Sequence, residues 1–140
     1  SITVCVPDYE LSTDISRSVL PKEVPMADAV FNAKRLGMFV HAVHTKDAEL
    51  MKLALHDKLH QPYRMKLVPG LDKIMENLKH EENVLGCVLS GAGPSIIVIS
   101  QKNGLDKIKS IVKDTWEEMN VKVNIMTLPV EQQGAQVISE

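Results

Sequence analysis

The spacing of apolar residues changes along the chain, and each change marks an element. Ile2, Val4 and Val6 alternate with their neighbours, the period of a strand over residues 2–6. Pro7 and Asp8 read as a turn after it. Ser12 or Thr13 can cap a short helix. Pro21 must end it, because proline keeps the residue before it out of helical geometry. From 25 to 44, Met26, Ala29, Val30, Ala33, Leu36, Phe39, Val40 and Val43 recur at helical spacing, with Pro25 in the first turn. Asp47 can cap a further helix carrying Leu50, Met51, Ala54 and Leu55. His60-Gln61-Pro62-Tyr63-Arg64 breaks the pattern and reads as a loop. After Pro69 and Gly70, the residues Leu71, Ile74, Met75 and Leu78 share one helical face.

The second half is simpler. Residues 84–89 and 96–99 are short apolar runs, and Ser90-Gly91-Ala92-Gly93-Pro94-Ser95 separates them. Residues 104–119 predict a helix with Leu105, Ile108, Val112, Trp116 and Met119 inward. Val121, Val123 and Ile125 alternate as a strand, and residues 134–138 offer one more edge strand. The predicted fold class is therefore α+β: a ferredoxin-like β-α-β-β-α-β sheet with extra helices in the first crossover. Right-handed crossovers would place the helices on one sheet face.

Composition narrows the class without naming a function. The chain has 140 residues, 44% of them apolar, the values of one globular domain over 1–140. With 16 Lys plus Arg against 18 Asp plus Glu, it carries no electrostatic footprint for nucleic acid or an anionic membrane. No apolar run reaches the roughly 18 residues of a spanning helix. Two cysteines, Cys5 and Cys87, make no disulfide framework, so a reducing cytoplasm is the expected setting. The alternating run begins directly at Ser1-Ile2, which suggests a piece of a longer chain.

The chemistry must come from particular residues. In Ser90-Gly91-Ala92-Gly93-Pro94-Ser95, glycines allow positive φ and close backbone approach, and successive N–H groups can form an anion nest. A tight hairpin would need the same small residues, and no Gly-Lys-Ser/Thr follows to make a Walker loop. Thr13 and Arg17 lie four apart on one helix face. A hydroxyl and a guanidinium there could hold an alcohol and a carboxylate, or be a helix cap and a solvated cation. Arg64 could be a second anion clamp or a surface arginine. His56 and His60 have the spacing of a metal pair but no evident third ligand, so no metal site is assigned. Asn32 and Arg35 interrupt an apolar helix and by default mark its wet side. Cys87 reads as core rather than nucleophile. No Ser-His-Asp set and no functional carboxylate pair is visible, so no catalytic residue is assigned.

Taken together, four strings resemble the homoserine kinases of the GHMP kinase superfamily. They are Thr13-x-x-x-Arg17-x-x-Leu20-Pro21, Asp28-Ala29-Val30-Phe31-Asn32-x-x-Arg35, Asp57-x-x-His60-Gln61-Pro62-Tyr63-Arg64 and Leu89-Ser90-Gly91-Ala92-Gly93-Pro94-Ser95. The third is the specific one; the fourth looks like the superfamily's third motif. The resemblance runs from about residue 2 to the end and covers only the carboxy-terminal half of that family. The Pro-x-x-x-Gly-Leu-Gly-Ser-Ser-Ala string that wraps ATP phosphates in its amino-terminal half does not occur here.

The resemblance implies a set of roles. Thr13 matches the threonine near the substrate hydroxyl. Arg17 and Arg64 match the two arginines on the homoserine carboxylate, and His60 lies in the substrate-side motif. Gly91, Ala92, Gly93, Pro94 and Ser95 match the loop at the phosphate end, with Ser95 where many members have Thr. ATP and Mg2+ would be bound mainly by the amino-terminal half, so the piece alone should be inactive. Transfer to the L-homoserine hydroxyl would proceed by orientation and charge stabilisation without a dedicated base. The implied partners are L-homoserine, the amino-terminal domain and a second copy in a homodimer. An apolar patch should mark the face left without its partner. The alternative is a free-standing ferredoxin-like module that binds a small ligand or a partner without catalysis.

Overall fold

The computed structural model describes residues 1–138. In chain order its elements are β1 (Ile2–Pro7), α1 (Thr13–Ser18), α2 (Met26–Thr45), α3 (Ala48–Ala54), α4 (Gln61–Arg64), a 3-10 turn (Met65–Leu67), α5 (Leu71–Lys79), β2 (Val84–Leu89), β3 (Ile96–Ser100), α6 (Leu105–Glu118) and β4 (Val123–Leu128). The strands form one sheet in the order β2-β3-β1-β4. Every neighbouring pair is antiparallel, so β1 and β2 run parallel with β3 between them. That is the split β-α-β arrangement of the ferredoxin-like class, as the element order predicts.

One sheet face carries the core. Thr3, Cys5 and Pro7 of β1 are buried, and Cys5 faces a cluster with Ile96, Val98, Ile74, Ile108 and Trp116. α5 and α6 supply the second layer, burying Leu71, Ile74 and Leu78 from one helix and Ile108, Val112 and Trp116 from the other. The indole N–H of Trp116 donates to the Pro69 carbonyl at 2.9 Å, so the largest buried side chain keeps a partner for its polar atom. Strict alternation would put Val84 and Cys87, three apart, on opposite faces. A register shift between Val84 and Gly86 opposite Ile99 and Ser100 turns both into the core.

Several expectations need correction. The helices do not all lie on one face. Leu55, after α3, sits against Gly86, whose neighbour Cys87 points the other way. A Cβ on Gly86 would stand 2.4 Å from Leu55 Cδ1 and 3.2 Å from Leu55 Cβ, so any larger residue there would force Leu55 to shift. Residues 60–64 are not a loop: α4 and the 3-10 turn continue as helix, with Pro62 in the first turn. Pro25 is the N-cap of α2 rather than part of its first turn. β4 begins at Val123 and runs on to Leu128, because its ladder follows β1 from Pro7 back to Ile2. Residues 134–138 form no strand and are exposed. Met119 lies past the end of α6 and is 41% exposed, not inward.

Candidate functional site

Arg64 ends α4, and its side chain ties that turn to two other elements. Its Nε donates to the Ser16 carbonyl at 3.1 Å and its Nη1 to the Gly91 carbonyl at 3.3 Å. Ser16 is fully buried in α1, and its hydroxyl donates to the Ala92 carbonyl at 2.9 Å. Gln61, one turn before Arg64, accepts the Leu89 N–H at 2.9 Å on its Oε1, where β2 runs into the glycine loop. One guanidinium, one hydroxyl and one amide therefore fix α1 and α4 against residues 89–92. Two guanidinium N–H groups are used on carbonyls, which leaves Nη2 to meet an anion.

The glycine loop is a tight turn with an open backbone edge. Ser90 N–H bonds the Ser95 carbonyl at 2.8 Å and Gly93 N–H the Ser90 carbonyl at 3.2 Å. Gly91 and Gly93 take φ of +63° and +86°, and the Gly93–Pro94 peptide is cis. A Cβ on Gly93 would crowd Leu89 at 3.3 Å and touch Leu11 and Val68 at ordinary contact distance, whereas one on Gly91 would meet nothing within 4 Å. The Gly91 and Ala92 N–H groups have no backbone acceptor among the described residues. The turn closes on itself as a hairpin and leaves the Gly91 and Ala92 N–H groups as the donors a nest would use.

Arg64 and Gly91 open onto a cavity of about 470 Å3 whose wall includes His60, Gln61, Asp57 and Asn32. A larger hollow, about 820 Å3, lies across the 57–61 segment. Its rim mixes Lys52, Lys58 and Lys79 with Asp72, Glu76 and Glu82, and neither Arg64 nor the glycine loop reaches it. Size favours the larger hollow; convergent donors favour the smaller, and donors decide anion recognition.

Asp57 holds the wall between the two hollows. Its Oδ1 accepts from Asn32 Nδ2 and from Leu59 N–H, and its Oδ2 from the N–H groups of His60 and Gln61. Partial burial pushes its carboxyl up, but the Asn32 amide and the three backbone donors outweigh burial and hold it below the usual carboxylate value. Asn32 in turn accepts the Lys58 N–H at 2.9 Å, and Lys58 Nζ reaches Asp28 at 3.0 Å. Asn32 and Arg35 therefore do not mark a wet side. Both are half-buried, and the Arg35 guanidinium lies 4.3 Å from the Phe31 ring centre.

The structure unites some of the expected site residues and not others. His60 and Arg64 line the smaller cavity with Gly91. Thr13 and Arg17 are exposed and do not line it. Ser12, not Thr13, caps α1 by accepting from Asp14 N–H at 3.2 Å. His56 and His60 are exposed, and no group of three or more His, Cys, Asp or Glu among the described residues is placed to hold a metal ion. Burial pushes Cys5 and Cys87 up to about 12, so both remain thiols. Three residues with clear structural roles carried no assigned role in the sequence: Ser16, Gln61 and Asp57. Asp57 had a readable signal, an acidic residue just ahead of a proline-started helix; Ser16 had none.

The donor set fits a phosphate better than a cation. The free N–H groups of Gly91 and Ala92 suit an anionic oxygen. Both oxygens of Asp57 are already occupied, which leaves no carboxylate in this wall for Mg2+. No helix among the described residues is long and apolar enough to cross a membrane.

Comparison with known proteins gives a consistent set of likenesses. The family described as GHMP kinases C terminal matches residues 39–118. A protein named homoserine kinase from Caldicellulosiruptor bescii is 43% identical over 138 residues, 97% of this chain and 44% of that protein. One of the same name from Aquifex aeolicus is 40% identical over 139 residues, 99% of this chain and 46% of the relative. The crystal structure of homoserine kinase from Cytophaga hutchinsonii superposes with a TM-score of 0.87 at 29% identity, covering 98% of this chain and 44% of that one. The chain thus spans less than half the length of the relatives it matches.

Proposed function

The chain belongs to the GHMP kinase family through its C-terminal domain, and from that premise we propose that it is the substrate-side half of a homoserine kinase. The observation that carries this reading is Arg64, held by α1 and the glycine loop with Nη2 unspent. A planar guanidinium so fixed can take a carboxylate without rearranging. Thr13 and Arg17 on α1 lie outside the wall of the smaller cavity, so their hydroxyl and second cation would reach the acceptor only from its rim. His60 stands at the cavity wall. Anchoring the carboxylate of L-homoserine would leave its side-chain hydroxyl to be aimed at the phosphate end, where Gly91 and Ala92 present N–H groups. ATP, when bound, supplies the phosphoryl group. This chain's part is to orient the acceptor and stabilise charge, and no side chain among the described residues is assigned as a general base.

In such a protein ATP and Mg2+ are held mainly by an amino-terminal domain, and the 140 residues alone do not turn over. The setting would be a reducing cytoplasm, which suits two buried free thiols. The exposed stripe of α2, with Leu36, Val40 and Val43, would be covered by that domain or by a second copy.

The test is ADP release by the longer protein carrying this chain, with L-homoserine and with its analogue reduced at the carboxylate. The reading requires turnover of L-homoserine, poor use of the reduced analogue, and a homoserine KM raised about a hundredfold by Arg64→Ala. Equal use of both alcohols, or none of either, would contradict it.

A further inference from the structure

We infer that Asp57 and Asn32 are positioning residues for Arg64: their paired side chains set how α4 meets the glycine loop. The inference rests on the reading of the smaller cavity as the homoserine site. α2 packs chiefly on α3, and its apolar stripe is exposed. Its side-chain bonds to segment 57–64 are polar. Asn32 bridges to the Asp57 carboxylate and to Lys58 N–H, and one turn earlier Asp28 meets Lys58 Nζ. From Asp57 the chain has little slack. The carboxylate collects the N–H groups of Leu59, His60 and Gln61, and the His60 carbonyl then accepts from Tyr63 and Arg64, both at 3.1 Å. Pro62 fixes one φ within that turn. Gln61 and Arg64 sit at the far end, one on the end of β2 and the other on Gly91. A tilt at Asp57 is carried rigidly to both. The same segment lines both hollows, so its angle also sets the width of the smaller one.

Two variants separate positioning from simple structural support. Asp57→Asn keeps the shape but turns one acceptor into a donor facing donors. Asn32→Ala leaves the backbone bonds to Asp57 and the Asp28–Lys58 pair, and removes only the two Asn32 side-chain bonds. In the longer protein, Asp57→Asn should raise the homoserine KM about tenfold, with the ATP KM unchanged and kcat nearly so. Asn32→Ala should do the same to a smaller degree. In the 140-residue chain, NMR should show both variants shifting the Arg64 Nε–H and Gly91 amide resonances while those of Trp116 and Ile74 stay in place. Exchanging the pair, Asn32→Asp with Asp57→Asn, restores the bond between α2 and residue 57 and should recover part of both effects. If Asp57→Asn fails to fold, Asn32→Ala carries the test. Unmoved Arg64 and Gly91 resonances in Asn32→Ala, or equal changes in the KM values of ATP and homoserine, would overturn the inference. A wild-type protein inactive on homoserine would sink the functional reading, and the resonances would still decide this one.

Discussion

The two helical layers of this domain use their residues in opposite ways. α5 and α6 bury their apolar faces on the sheet and leave their charges outside: Ile74, Leu78, Val112 and Trp116 are at or near zero exposure. α2 does the reverse. It turns Asn32 and Arg35 toward the protein, while Met26, Leu36 and Val40 are 78%, 67% and 61% exposed. A helix with the same apolar spacing is thus core in one place and an outer surface in the other. Periodicity says which residues need cover; it does not say what supplies the cover. The α5–α6 layer is held by area, and the α2 side is held to segment 57–64 by a few aimed hydrogen bonds. The candidate site belongs to the second kind.

The largest expected effect lies in the first layer. Trp116→Ala removes the largest buried side chain and its bond to Pro69, and should cost about 3–5 kcal/mol in urea unfolding. A loss under about 1 kcal/mol would mean that this layer is not the core. Next in size are the pH limits, which should separate the layers. Cys5 and Cys87 sit in the core with values raised from 9.0 to about 12. Their contribution is complete below the ordinary thiol value and is lost as pH rises toward the folded one. Asp57 is lowered, so its contribution is complete above the usual carboxylate range and is lost as pH falls through its folded value. Alkaline unfolding should therefore flatten in the Cys5→Ala, Cys87→Ala pair and acid unfolding in Asp57→Asn. A flattening of the same limb by both would break the distinction.

A smaller effect is expected from Asn32→Ala, about 1.5–3 kcal/mol for a bond to a charged acceptor at most. Hydrogen exchange should speed up in residues 57–64 and not in α5 or α6. The smallest effect is expected on the outer stripe. Leu36→Lys or Val40→Lys should change the stability of the 140-residue chain by less than about 0.5 kcal/mol. A loss of several kcal/mol would mean that the stripe is already covered within this chain.

The sheet and the α5–α6 layer were legible because Leu71, Ile74 and Leu78, and Ile108, Val112 and Trp116, have one periodicity and one destination. The bulge at Leu85 was not, since a register shift leaves no mark in a short apolar run. Residues 60–64 looked like a loop because their helix is a single turn whose donors are met from outside by Asp57, not by its own apolar face. The site was legible in part. Arg64, His60 and, of the glycine loop, Gly91 line one cavity, but Arg64 leans on backbone carbonyls, which no side-chain pattern encodes. Thr13 and Arg17 stayed outside the cavity wall, because a six-residue helix puts its inward position, Ser16, between them.

In the proposed function the smaller cavity, not the larger one, receives the substrate carboxylate. A crystal structure of the longer protein with L-homoserine would show which hollow is filled. A carboxylate oxygen is expected about 3 Å from a terminal nitrogen of Arg64, with the hydroxyl directed at residues 91–95. Homoserine bound in the larger hollow, against Lys52 or Lys79 with Arg64 untouched, would contradict it.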